Sequence, residues 1–220
     1  MQCIKDTIKN INIVIGCNIG CSYCYARMNN NRFHTIDDFN KPVFFENKLK
    51  MLDNKRHTAY LLTGQSDLSG WNEEWKDKVF SKMKENENTQ YIFLTKRPEN
   101  IKLKETPDNG WFGVTVTSSK EKTRIDYLRN NIKAKHYHIT FEPMFDDVGK
   151  LDLNNISWIV IGTETGNRKG KISSKREWVF NIYNQAKEKN IPVFMKEDLL
   201  GILNEDEFVQ EFPKEFGGIK

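Results

Sequence analysis

The stretch Ile11–Arg27, "INIVIGCNIGCSYCYAR", passes from an apolar run into a loop that holds three of the four cysteines of the chain. A run rich in β-branched residues reads as a strand buried on both faces, as in a parallel sheet covered by helices. Cys17, Cys21 and Cys24 follow at its carboxyl end with the spacing Cys-x3-Cys-x2-Cys. A disulfide, a zinc knuckle and an iron–sulfur cluster short of one ligand all compete for such a grouping.

The same rhythm repeats outward along the chain. Strands are expected at Ile11–Ile15, Thr58–Thr63, Tyr91–Thr95, Trp111–Val116, Tyr137–Phe141, Trp158–Ile161 and Val193–Met195. Helices are expected at Val43–Asp53, Glu73–Asn86, Lys120–Asn131, Lys175–Lys189 and Glu205–Glu211. Each strand delivers polar groups at its carboxyl end: the thiols, then Gly64 to Asp67, Lys96 and Arg97, Thr117 to Ser119, Glu142, Thr163 to Thr165, and Lys196 to Asp198. An open doubly wound sheet gathers its functional groups at one switch point, whereas a β/α barrel collects them from many strand ends. The 220 residues fall short of the ~250 of a complete eightfold barrel. The expectation is an α/β fold, a partial (open) β/α barrel of six to seven parallel strands. With no repeat or linker, residues 1–220 read as one domain.

Composition narrows the class. No apolar run reaches the ~20 residues of a membrane span, and "MQCIKDTIKN" lacks the apolar core of a secretory signal, so a cytoplasmic protein is expected. Cytoplasmic cysteines argue for metal or redox chemistry over a disulfide framework. A net charge of +4 with both signs interspersed gives no dedicated nucleic-acid stripe. Structural zinc asks for four ligands, commonly as two pairs, and neither Cys3 nor a histidine has suitable local spacing. Cys3 precedes the first expected strand and should lie at the opposite end of the barrel as a small, half-buried side chain. Three thiolates on a four-iron cluster leave one iron open, which is useful only if a cofactor or substrate fills it.

The loop from Cys17 to Cys24, with Tyr23 before the last cysteine, resembles the signature of the radical S-adenosylmethionine superfamily. The strings "DLSGW", "FLTKRPEN", "WFGVTVTSS", "FEPMFDDVG", "WIVIGTETG" and "VFMKEDL" resemble, in the same order, motifs of a small phage-type family of that superfamily with relatives in mobile gene pairs. The resemblance runs from about Ile11 to Leu200. It implies a 4Fe-4S cluster on Cys17, Cys21 and Cys24 whose free iron binds S-adenosyl-L-methionine. It also implies an external electron donor of flavodoxin or ferredoxin type. The activity it implies is a lyase reaction that frees queuine from queuosine 5′-phosphate, or from queuosine, by radical hydrogen abstraction from the ribose.

Several residues follow from that resemblance as cofactor contacts: Tyr23, Gly64, Gln65, Ser66, Thr117, Ser118 and Gly162. The family's usual Gly-Gly-Glu-Pro after the second strand is here "TGQSD", without the glutamate. Asp67, Ser118 and Ser119 also suit helix capping. Glu142, Glu164 and Asp67 are candidate catalytic and substrate-binding acids, since carboxylates closing apolar runs are costly unless paired or used. Lys96, Arg97 and Lys196 would hold a phosphate, with salt bridges to the acids as the plainer reading. His136 and His138 share a strand face without a third ligand and read as structural. Two alternatives remain: a radical enzyme modifying a base in RNA or DNA, and a non-enzymatic zinc-stabilised binding module.

Overall fold

A computed structural model describes residues 1–54 and 58–217. Seven strands form one parallel sheet in chain order: β1 (Ile8–Asn10), β4 (Ala59–Leu61), β5 (Gln90–Thr95), β6 (Gly110–Thr115), β7 (His136–Phe141), β8 (Ile156–Ile161) and β9 (Val193–Met195). A parallel sheet in which each strand neighbours the next in sequence curls into a β/α half-barrel, the expected architecture. The helices are α1 (Ile4–Thr7), α2 (Tyr25–Phe33), α3 (Glu73–Lys84), α4 (Thr123–Asn131) and α5 (Arg176–Glu188). Two short strands, β2 (Val14–Ile15) and β3 (Val43–Phe44), pair antiparallel outside the main sheet.

Alternation along the strands divides the core in two. The outer face carries Phe93, Phe112, Ile139 and Ile161, packed with Val79 and Met83 of α3, Leu128 of α4 and Ile182 of α5. The inner face carries Ile8, Ala59, Ile92, Trp111, Trp158, Val160 and Phe194. Phe216 is fully buried among them, with its ring 4.7 Å from Trp111 and 5.2 Å from Trp158. The carboxyl-terminal segment therefore plugs the amino-terminal end of the half-barrel. Its residues around Gln210 pair antiparallel with β9, and the Gln210 side chain bonds the Gln2 backbone at 2.7 and 2.8 Å. These contacts bridge the gap between the first and last strands.

Four expectations need correction. The first apolar run is not one strand: Ile8–Asn10 joins the sheet, and the chain then leaves it at Asn12 so that Val14–Ile15 pairs with β3. The expected helix Val43–Asp53 is β3 followed by a 3-10 segment, Glu46–Asp53. The expected helix Glu205–Glu211 shortens to a 3-10 turn, Glu205–Glu207, because the next residues pair with β9. Cys3 lies beyond the carboxyl end of β9, with Sγ 3.0 Å from Glu197 Oε1; α1 intervenes before β1 and shifts the preceding residues toward that end. Helix α2, by contrast, was not expected at all.

Candidate functional site

The cysteine loop leaves the sheet at Gly16, whose N–H bonds the Gln65 carbonyl at 3.0 Å, and whose backbone bridges Ser66. Gly16 has φ +113, and an added Cβ would lie 2.9 Å from the Pro42 Cα, so glycine is required there. Arg27 ties the loop down from α2, donating to the Cys17 carbonyl at 2.8 Å and stacking its cation 5.0 Å from the Phe39 ring centroid. Cys24 is the N-cap of α2, its Sγ accepting the Arg27 N–H at 3.4 Å. This cap ends the thiol loop and starts a helix whose three asparagines hide it from propensity arguments.

Four further contacts hold the loop across the strand ends. Tyr23 packs edge-on against Phe145 after β7, at 5.4 Å, and its ring centre lies 5.9 Å from Lys96 Nζ after β5. Arg97 Nη1 donates to Asn18 Oδ1 at 3.3 Å. Tyr25 exposes 51% of its surface, yet its hydroxyl reaches inward to the Gly64 carbonyl at 2.5 Å. It therefore sits on the rim, and sequence reasoning could not place it in cavity or core.

All four cysteines are free and half-buried. Burial pushes the Cys17 thiol up, partly offset by the Ile19 N–H, and the charges of Asp67, Cys21 and Cys24 raise it further. Burial also raises the Tyr23 phenol, with Cys21 adding to it both by charge and by hydrogen bond.

The acids differ from one another. Asp67 is 7% exposed and fully engaged: Oδ1 accepts from Ser69 N (3.0 Å), Ser69 Oγ (2.7 Å) and Thr95 Oγ1 (2.7 Å), and Oδ2 from Lys96 N (2.8 Å). It caps the Leu68–Gly70 turn and fixes the end of β5. Glu164, 3% exposed, is gripped by both arms of Arg168 at 2.5 and 2.8 Å, and that bond holds its carboxyl below the usual range. Glu142 pairs with Lys196, which also lies 3.2 Å from Asp198. Burial opposes the Lys196 charge, but Glu142 and Asp198 outweigh it and raise its pKa. Burial raises the Asp198 carboxyl. Gly162 makes room for this trio, since a Cβ there would stand 3.1 Å from Asp198 Oδ1 and 3.2 Å from Glu142.

The three acids are therefore not a converging set: two are locked by the fold, and Glu142 stands with Lys196 and Asp198. Thr117 is likewise engaged, its N–H and hydroxyl both donating to Glu121 at 2.7 and 2.6 Å. Ser118 precedes the 3-10 turn without a capping bond, and Ser119 bonds Asp146 at 2.6 and 2.9 Å instead. Ser66 Oγ accepts from Trp71 Nε1 at 3.0 Å. Sequence reasoning missed Arg124, Arg168 and Asp198 as partners and Asn12 as an acceptor. The first three pair locally, Arg124 with Glu121, Arg168 with Glu164 and Asp198 with Lys196, so a signal for them lay in the spacing of opposite charges.

The donor set can be tested against the implied cofactors. Three thiols without carboxylate or imidazole suit an iron–sulfur cluster. Among the described residues no three Cys, His, Asp or Glu side chains form a group able to hold a metal ion. A single zinc needs donors converging on one point, whereas a cluster takes its thiolates at separate irons. Beside the loop, Asn12 Oδ1 is buried with no hydrogen-bond partner among the described residues. A Cβ on Gly64 would meet it at 2.9 Å and Asn10 Nδ2 at 3.2 Å, so glycine lets both side chains pack against this strand end. Three cysteine thiols on one loop are donors of the type an iron–sulfur cluster takes, whereas Asn12 Oδ1, enclosed beside Gly64, is not open to a ligand. A groove of about 700 Å³ lies elsewhere, at the amino ends of the strands around Trp111, His136 and Phe212. It is lined by none of the thiols, which lie with the polar strand ends at the other mouth.

A parallel half-barrel with a trithiol loop folded over its carboxyl ends defines the class of structure. The chain belongs to the family described as "Protein of unknown function (DUF5131)", whose model matches residues 2–217. No curated protein and no solved structure matches it.

Proposed function

We propose that the chain is a radical S-adenosylmethionine enzyme of the partial-barrel type, acting on a nucleoside or nucleotide. The reaction proposed is release of queuine from queuosine 5′-phosphate, a queuine lyase activity. One observation carries the reading: three free thiols lie on a single loop pinned over the strand ends by Gly16, Asn18, Tyr23 and Tyr25. Cys17, Cys21 and Cys24 would hold the cluster. Gly64, Gln65 and Ser66 would line the amino-acid end of the cofactor, with Tyr23, Ser118 and Gly162 around the remainder. When bound and reduced, that pair supplies one-electron chemistry that abstracts hydrogen from carbon.

The chain's own residues bind and orient. Glu142, held by Lys196 beside Asp198, is the acid best placed to meet N–H donors of a deazaguanine base and to manage its proton. Glu164 supports the rim through Arg168, and Asp67 fixes the backbone of Lys96. Among the described residues no helix is long and apolar enough to cross a membrane. The proposal places the enzyme in the cytoplasm with a flavodoxin- or ferredoxin-type donor, and prefers a small substrate over intact RNA or DNA given the mild net charge of +4.

Anaerobic reconstitution with iron and sulfide tests the chemistry. The expected result is a brown, cluster-type absorption, lost on Cys21→Ala, and 5′-deoxyadenosine after reduction with S-adenosylmethionine. Absence of both would refute the radical reading. Incubation with queuosine, its 5′-phosphate and queuosine-containing tRNA then tests the substrate; no queuine from any of the three removes the lyase reading.

A further inference from the structure

We infer that Lys96, with Arg97 beside it, is the oxyanion subsite of the mouth and makes the enzyme read a phosphate on its substrate. The inference rests on the nucleotide reading above and names the residue that distinguishes a nucleotide from a nucleoside. It comes from a census of the cations around the cysteine loop. Lys196 is matched by Glu142 and Asp198. Arg124 pairs with Glu121 at 2.8 Å and with the Thr115 carbonyl at 2.7 Å, and Arg168 pairs with Glu164. Arg27 is spent on the Cys17 carbonyl and Asn40.

Lys96 differs from the first three in having no carboxylate, and from Arg27 in having a single weak neutral neighbour where Arg27 has two firm acceptors. Among the described residues no carboxylate lies within 4.0 Å of its ammonium, whose one hydrogen-bond neighbour is the neutral Thr115 Oγ1, at 3.4 Å. The side chain is half-buried against the Tyr23 ring, so water compensates its charge only in part. Its backbone is nonetheless held tightly, with the N–H on Asp67 Oδ2 and the following N–H on Thr95 Oγ1 at 3.0 Å. Arg97 also lacks a carboxylate partner among the described residues and touches only Asn18 on the loop. The fold thus fixes two uncompensated cations on one strand end, both against the thiol loop. A doubly charged phosphate supplies the missing acceptors.

The same chemistry would suit the carboxylate of an amino acid, so the test separates the two sources. Binding of inorganic phosphate, guanosine, guanosine 5′-phosphate and S-adenosylmethionine is titrated on the full chain, with and without cluster. Wild type should bind the 5′-phosphate more tightly than the nucleoside. Lys96→Met should weaken phosphate and nucleotide about tenfold or more, leave guanosine and S-adenosylmethionine unchanged, and be largely rescued by Lys96→Arg. An unchanged melting temperature in Lys96→Met certifies the fold. No preference for phosphate in wild type, or a loss confined to S-adenosylmethionine, overturns the inference. Because the phosphate arm needs neither cluster nor queuosine, its failure is distinguishable from failure of the radical reading.

Discussion

Gly113 and His138 are neighbours in register across β6 and β7, and neither tolerates change in the other. His138 is wholly buried, with Nε2–H donating to the Phe93 carbonyl at 3.0 Å. A Cβ on Gly113 would fall 2.4 Å from two ring atoms, Cε1 and Nε2. The ring cannot retreat without giving up its bond, so Gly113→Ala should cost about 3 kcal/mol. Adding His138→Ala should recover part of that loss, a coupling readable in a double-mutant denaturation cycle. Strict additivity would show that the two do not touch in solution. Burial also depresses the imidazole from 6.5 to about 4. Neutral His138 therefore contributes its full stability above pH 6.5 and loses it as pH falls toward 4, up to roughly 3 kcal/mol. Urea midpoints of wild type should drop more steeply over that window than those of His138→Asn; parallel curves would contradict a neutral buried imidazole.

At the scale of elements, the plug and the cysteine loop show where sequence reasoning reaches. Phe216 fills the base of the half-barrel, and its carbonyl accepts from Thr58 Oγ1. Phe216→Ala leaves a cavity between Trp111 and Trp158 and should cost about 3–5 kcal/mol in guanidinium unfolding, whereas the partly buried Phe212 should cost less when truncated. A loss below about 1 kcal/mol for Phe216→Ala would mean that the base collapses freely. The central strands were legible because continuous apolar runs such as "YIFLT" and "WIVIG" have one reading in a covered parallel sheet. The plug was not, since "VQEFPKEF" carries no period and gains its order only from β9 and the inner aromatics. The thiols were legible by spacing. The division of labour among Asp67, Glu142 and Glu164 was not, because it depends on which cation or donor the fold brings to each one.

For the whole molecule, the arrangement predicts a gradient of stability running from the sheet centre to the mouth. Every residue of β6 is buried, and β5, β7 and β8 are nearly so, each strand being bonded on both sides. β1 is a three-residue edge, and β9 is a three-residue strand joined beyond β8, among the described residues, by the segment around Gln210. The cysteine loop is joined to the barrel by few bonds, chiefly Gly16 to Gln65, Cys17 to Phe39, Arg97 to Asn18 and Tyr25 to Gly64. Amides open locally where few buried contacts hold them. Hydrogen exchange should therefore be slowest across β5 to β8, faster in β1, and fastest among the described mouth segments in residues 17–24. Under the proposed function, a cluster loaded with S-adenosylmethionine would tie the loop to bound groups that the unfolded chain cannot hold, so protection should rise in residues 17–24 and 64–66 and leave β6 unchanged. If residues 17–24 already exchange as slowly as β6 without cofactors, the loop is part of the rigid scaffold. Its thiols would then owe their placement to packing, and the case for a cofactor seat would lose its physical basis.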